Sequence, residues 1–348
     1  MFDSLQHFDA NWADLNSSLR HIEANNGLAD ALASLEASQR QTGFIKDDLR
    51  SVERCVFPHP TEPERHFRIQ FNPRRLERFN GAGISLPPEG IVVTHGGCFL
   101  CRDNVRWQQQ GRELGFELDV DGREYHAWMN PFPLMPRHIV VASRMHETQD
   151  WSHGPQGGVE PRMLVGELAT LASRMPGFVG FYNGVDAGAS IAGHLHYQFF
   201  QRPEVLPDFP LEIHMRGIAA ETGKPVIVTD YALPVVKWCG TPKQVENAVA
   251  DWVDGWAHRN AERIYRLTAN IVATANQEGA VTLYFVARDR SRSRGKGMSG
   301  LVGGLEVLGE LVFSSPEERR LIDSGSIDYY AIQDILGSVR TPLFVEGD

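Results

Sequence analysis

The chain has 348 residues, 44 acidic and 34 basic side chains, and a formal net charge of −10; 42% of it is hydrophobic and 22% charged. That length holds two domains or one large one with an ample core, and the acidic balance argues against a general nucleic-acid binder, whose phosphate footprint needs a broad basic surface. No run of about 18 apolar residues suggests a membrane span, residues 1–7 lack the pattern of a secretory signal, and four cysteines in so long a chain make no disulfide framework, so the expected location is the cytoplasm.

Residues 2–41 read as helices, with Leu5, Phe8, Trp12, Leu15, Leu19 and Ile22 recurring near helical spacing and Gly43 placed to end the second. Prolines 58, 60 and 63 break residues 55–75, which lead to a short strand and a basic turn, residues 67–75. Residues 116–128 read as a β-hairpin turning at Asp121-Gly122. A strand over 139–142, a helix from about Pro161 to Arg174, and a strand over 178–182 follow. Then come a glycine-rich loop and a strand carrying two histidines.

In the second half, residues 226–228 read as a strand, and Thr241-Pro242-Lys243-Gln244 is a capping box. The helix it opens has Val245, Val249, Trp252, Val253 and Trp256 on its buried side. A second hairpin is expected from residues 271–274 and 281–287, turning at 277–279. Ser315-Pro316-Glu317-Glu318 caps another helix, and Ser326 starts the last, with Gly337 at its end. The vocabulary of hairpin, helix and further strand, used twice, predicts an α+β protein with an antiparallel sheet. The expected organisation is a helical extension over 1–45 and two diverged halves, 46–205 and 206–348.

Chemistry concentrates in residues 183–198. Side chains of a strand alternate between faces, so His194, His196 and Gln198 share one face and Leu195, Tyr197 and Phe199 the other. Neutral imidazole is a good nucleophile near pH 7. A second histidine can fix the first or bind metal, and the Gln198 amide can donate to a phosphate oxygen. Gly184, Gly188 and Gly193 permit backbone conformations that point amide groups at an anion. The plain alternative is a half-exposed strand that happens to carry these residues.

Cys98 and Cys101 are spaced to hold one zinc ion, though a single such pair is incomplete. A redox pair or two buried thiols are the other readings. His146 and His194 would complete a closed structural site. Three prolines in residues 130–138 make an extended wall that can hold a base, while Asn130 can bond a ribose hydroxyl. Arg74 or Arg75 can pair with a phosphate. Residues 288–296 carry four arginines and a lysine, which suits a loop closing on polyphosphate or simply a solvated loop.

With these residues assembled, the chain resembles the galactose-1-phosphate uridylyltransferase branch of the histidine-triad (HIT-like) superfamily, and within it an uncharacterised bacterial group. That branch includes dinucleoside-polyphosphate and nucleotide-sugar phosphorylases. The resemblance rests on Cys98-Phe99-Leu100-Cys101, on His146, and on His194-Leu195-His196-Tyr197-Gln198. It spans about residues 67–202. It implies a HIT-like antiparallel sheet with flanking helices, His196 as nucleophile, Gln198 on the transferred phosphate, and zinc on Cys98, Cys101, His146 and His194. It places Asn130 and Phe132 at ribose and base, and Asn183, Gly188, Ala189 and Ser190 in the phosphate loop. Leu195 departs from the proline usual between the two histidines of the uridylyltransferases.

The expected activity is nucleotidyl transfer through a covalent nucleotidyl-histidine. A nucleoside monophosphate would move from a nucleotide sugar to a sugar 1-phosphate or inorganic phosphate. Phosphorolysis or hydrolysis of dinucleoside polyphosphates, and nucleotide binding without turnover, are the alternatives. No organic cofactor, nucleic acid or membrane partner is expected; a homodimer is what relatives imply.

Overall fold

The computed structural model describes residues 7–80, 83–84 and 86–344. Two helices come first, α1 (Phe8–Asn26) and α2 (Leu28–Gln41). They part at Gly27, whose φ of 95° lies in the left-handed region that glycine enters at little cost. Phe8, Trp12 and Leu19, then Leu28, Leu32 and Leu35, are buried along one stripe. Leu5 lies outside the described residues.

Strands β1 (Glu53–Pro58) and β2 (His66–Phe71) are followed by a 3-10 segment, Pro73–Asn80, where a basic turn was expected. A short helix, α3 (Arg102–Gln108), follows the two cysteines. Strands β3 (Phe116–Val120) and β4 (Arg123–Met129) form the first hairpin. Asp121 and Gly122 both have positive φ, 52° and 85°, as a tight two-residue hairpin turn demands. Strand β5 (Ile139–Ser143), helix α4 (Pro161–Arg174), and strands β6 (Phe178–Asn183) and β7 (His196–Gln201) complete this part. Strand β7 begins at His196, two residues later than the alternation suggested, because the Leu195 N–H turns aside to the Glu147 carbonyl.

The remainder contains α5 (Pro210–His214), β8 (Val226–Val228), β9 (Val235–Gly240) and α6 (Pro242–Arg259). The second hairpin, β10 (Leu267–Ala275) and β11 (Val281–Asp289), is longer at its open end than the sequence indicated. Then come α7 (Gly304–Val307), β12 (Glu310–Phe313), α8 (Pro316–Asp323) and α9 (Tyr329–Gly337). The capping boxes at Thr241 and Ser315 form. The last helix starts three residues after Ser326, because Asp328 caps it by accepting from the Ala331 N–H at 2.8 Å.

Among the described residues, nine strands make one sheet in the order β3-β4-β5-β7-β6-β10-β11-β9-β8, and each neighbouring pair is antiparallel. A three-stranded sheet, β1-β2-β12, pairs β12 parallel to β2. The fold is thus α+β, built on a large antiparallel sheet with flanking helices. Alternate residues divide the nine-stranded sheet cleanly. Leu195, Tyr197, Phe199, Ile271 and Phe285 pack with α1, α2, α4 and α6. Val179, Phe181, Phe200, Val272 and Val286 pack with the small sheet, α5, α7 and α9.

Both faces of the central strands are therefore buried, and contacts between strands are tight. Gly180 of β6 lies opposite Phe199 of β7, and a Cβ there would sit 2.1 Å from the Phe199 ring. We expect Gly180→Ala to lower stability by about 1–3 kcal/mol through overpacking. Chemical denaturation would show it as a lower midpoint with an unchanged slope.

Candidate active site

Where β5 and β7 meet the segment before α3, four ligand atoms converge. One atom each from Cys98, Cys101, His146 and His194 all lie within 4.8 Å of one another. His194 donates Nε2–H to the Ser143 carbonyl at 2.7 Å, so its Nδ1 carries the lone pair. That Nδ1 faces Cys98 Sγ at 3.3 Å and Cys101 Sγ at 3.6 Å, and His146 Nδ1 faces Cys101 Sγ at 3.4 Å. Zinc–sulfur bonds of about 2.3 Å and zinc–nitrogen bonds of about 2.0–2.1 Å, at tetrahedral angles, put sulfur and nitrogen about 3.6 Å apart. The donor set and its spacing fit a four-coordinate zinc. The Cys101 thiol and His194 hold the Cys98 thiol far below its usual range, which favours the thiolate a metal needs.

Two residues beyond the cluster's histidine, the chain enters β7. His196 is 3% exposed, and its Nδ1–H donates to the His194 carbonyl at 2.8 Å. A carbonyl only accepts, so the proton sits on Nδ1 and the lone pair on Nε2. Burial pulls this imidazole down to about 4, which keeps it neutral at pH 7.

Gln198, next on the same face, is oriented in turn by His138. The Leu134 N–H donates to His138 Nδ1 at 3.1 Å, leaving Nε2 as the protonated nitrogen. That nitrogen donates to Gln198 Oε1 at 2.9 Å. With its oxygen so engaged, Gln198 has its amide NH2 group left for the cavity it lines. Burial draws His138 down to about 3, so the chain of donors holds across the working range of pH.

This cavity has a volume of about 560 Å³ and is walled by Asn130, Phe132, Asn183, Gly188, Ala189, Ser190 and Gln198 among others. Three arginines reach it from outside the sheet: Arg75, Arg78 and Arg294. Arg75 is buried, donates to the Phe132 carbonyl, and is drawn down to about 9 by desolvation. It is still a cation at neutral pH, in a place where a lone cation is costly. An anion in the cavity would relieve that cost. Arg74 does not line the cavity; it is exposed and donates to the Lys46 carbonyl at 3.1 Å. Glu306 also faces the cavity, with its carboxylate accepting from the Gly303 N–H and burial raising its pKa.

The walls are held by a polar network on the same sheet face. Asn183 Oδ1 accepts from Asn270 Nδ2 and from the Gly304 N–H, both at 2.8 Å. Asn270 also donates to the Ala187 carbonyl at 2.7 Å. Arg288, fully buried, donates to Asn270 Oδ1 at 2.6 Å, to the Val302 carbonyl at 2.7 Å and to the Arg292 carbonyl at 3.1 Å. Through Asn270, this guanidinium ties the loop after β6 to the loop after β11. The loops touch directly at Gly188, whose φ is 100° and whose Cβ would lie 2.5 Å from Gly303 Cα.

Gln149 clamps the entry to β7. Its Nε2 donates to the carbonyls of Asn183 and His196 at 2.8 and 3.1 Å, and its Oε1 accepts from the His196 N–H at 2.7 Å. Sequence reasoning passed over Gln149, His138 and Asn270, and it read Arg288 as part of the arginine-rich loop, whereas it lies fully buried in β11. For Asn270 and Arg288 the signal was present: a polar residue inside a strand that otherwise reads as buried on both faces.

Residues 38–201 match a family model described as a domain of unknown function, DUF4922. No curated protein matches the chain. Among solved structures, it is similar to yeast Ap4A phosphorylase Apa2. The complex with AMP gives a TM-score of 0.57 at 18% identity, over 91% of this chain and 96% of that one. The complex with Ap4A gives 0.55 at 17%, over 88% and 98%. A third structure of that enzyme gives 0.54 at 18%, over 90% and 96%. At these identities the likeness establishes the fold alone, and the chain shares the α+β fold of that phosphorylase.

Replacing Gln149 by leucine would leave three backbone groups at the β6–β7 ends without their partner. We expect Gln149→Leu to cost at least about 2 kcal/mol of stability. Hydrogen exchange would show the loss first at the His196 amide.

Proposed function

We propose that this protein is a nucleotidyltransferase that works through a covalent nucleotidyl-His196 intermediate, with a dinucleoside polyphosphate as donor and inorganic phosphate as acceptor. The observation that carries the reading is the placing on one face of β7 of His196, a neutral imidazole with its lone pair on Nε2, and Gln198, which has its oxygen held by His138 and lines a cavity that also holds a buried arginine. His196 Nε2 attacks the α-phosphorus and a P–N bond forms. The P–O bond to the rest of the donor breaks, and its electron pair leaves on the departing phosphate. An acceptor oxygen then attacks the same phosphorus, the P–N bond breaks, and neutral His196 is regenerated. Two displacements in sequence give ping-pong kinetics.

Each wall has a role in this scheme. The Gln198 amide and the amides of residues 188–190 donate to the oxygens where charge develops. Asn130 bonds the ribose and Phe132 packs on the base. Arg75 pairs with a phosphate, and Arg78 and Arg294 lie along the wall where a longer phosphate chain would run. These cations, and the likeness to a phosphorylase solved with AMP and with Ap4A, favour a dinucleoside polyphosphate over a nucleotide sugar. A nucleotide sugar with a sugar 1-phosphate acceptor is the second reading: the His194-Leu195-His196-Tyr197-Gln198 run resembles the branch as a whole, but Leu195 stands where the uridylyltransferases usually have proline. Zinc on Cys98, Cys101, His146 and His194 would act structurally, locking the peptide whose carbonyl orients His196.

Incubation with diadenosine tetraphosphate and with UDP-, GDP- and ADP-sugars should leave a mass gain of one nucleoside monophosphate on the intact protein, absent in His196→Ala. The productive donor identifies the substrate class. Nucleotide binding with no adduct from any donor would overturn the mechanism. Gln198→Ala should slow adduct formation by about 10²–10³-fold, the usual cost of losing one such donor. Elemental analysis should find one zinc per chain, lost in Cys101→Ser.

A further inference from the structure

A second cavity, of about 220 Å³, opens where β10 begins and β11 ends. Among the described residues it is lined by Arg263, Arg266, Arg292 and Arg340, by Asp289 as the one carboxylate, and by Leu267, Thr341 and Pro342. Four cations against one anion is a local excess of positive charge in a chain whose net charge is −10.

Most of these guanidiniums are anchored by neutral oxygens. Arg263 donates to Asn260 Oδ1 at 2.8 Å and to the Pro342 carbonyl at 2.9 Å. Arg292 donates to the Arg340 carbonyl at 3.1 Å, and Arg340 to the Thr229 carbonyl at 3.2 Å. Only Arg266 takes the carboxylate, at 3.0 Å to Asp289 Oδ2. The other Asp289 oxygen is occupied by the Ser291 N–H and hydroxyl. Carbonyls fix the positions of the arms without neutralising them. Each guanidinium has five N–H donors, and the contacts above use one or two.

Such an array is a receptor for an oxyanion with several acceptor oxygens, since guanidinium pairs with phosphate in two-pronged fashion. The volume is below the roughly 300–1,000 Å³ of sites that take whole organic ligands. We propose that this cavity binds a small inorganic phosphate anion of the pyrophosphate class, at a site separate from the nucleotide cavity. The inference does not depend on the reaction proposed above. Arg292 belongs to the same loop as Arg294, and its carbonyl is held by Arg288, so the bound anion would rest on the root of the loop that reaches the nucleotide cavity.

Pyrophosphate titrated into the full chain by calorimetry, in phosphate-free buffer, tests this. We expect saturable binding that weakens steeply with added salt, persists in Arg75→Ala, and weakens at least tenfold in the double variant Arg263→Gln/Arg340→Gln. Asp289→Asn removes an opposing charge and should tighten binding severalfold, a gain that misfolding cannot produce. Absence of binding to the unaltered protein at millimolar pyrophosphate overturns the proposal. So does binding that is lost in Arg75→Ala but kept in the double variant, or binding weakened by Asp289→Asn.

Discussion

One hydrogen bond, from His196 Nδ1–H to the His194 carbonyl, governs this structure's chemistry. It decides which ring nitrogen has the proton and where the other points. Its acceptor is itself immobilised twice, because the His194 ring is pinned at one nitrogen by Ser143 and faces two cysteine sulfurs with the other. Positional accuracy thus passes from a cysteine–histidine cluster to the His196 imidazole through a single peptide unit. Orienting the ring through its neighbour's backbone uses Nδ1 and leaves the lone pair on Nε2.

The nine-stranded sheet supplies the setting. With apolar residues packed on both sides, any polar side chain on its inner strands needs a partner. Asn183, Asn270, Arg288, His196 and Gln198 all project to one side, and each is bonded to another residue of that same region. A buried arginine satisfied only by amide and carbonyl oxygens costs folding free energy. Here it also raises the positive potential beside the cavity and joins two loops that come from distant parts of the chain.

Much of the architecture could be read in local chemistry. Asp121-Gly122 marks a turn because both residues tolerate positive φ. Thr241 and Ser315 mark helix starts because each has its partner three residues on. The alternation of His196 and Gln198 against Tyr197 and Phe199 identifies the two sides of β7. What escaped was set by tertiary partners. Strands β10 and β11 read short because Asn270 and Arg288 resemble strand ends, and only their mutual hydrogen bond lets them lie inside. His138 meets Gln198 across a pair of adjacent strands, a partnership that no short-range pattern records. Arg75 rather than Arg74 faces the cavity because residues 73–80 wind as a 3-10 segment instead of a simple turn.

The five residues 146–150 join these systems. His146 faces the cysteines, the Glu147 carbonyl turns the chain at Leu195, Gln149 grips both strand ends, and Asp150 takes Arg290 in a buried ion pair at 2.5 Å. Four attachments at fixed intervals make this stretch a ruler. Thr148 between them is half-buried and accepts from the Asp150 N–H at 3.1 Å, and adding or removing one residue would put at least one attachment out of phase. Loops elsewhere can lengthen as new acceptors are accommodated, whereas here the number of residues is itself the constrained quantity.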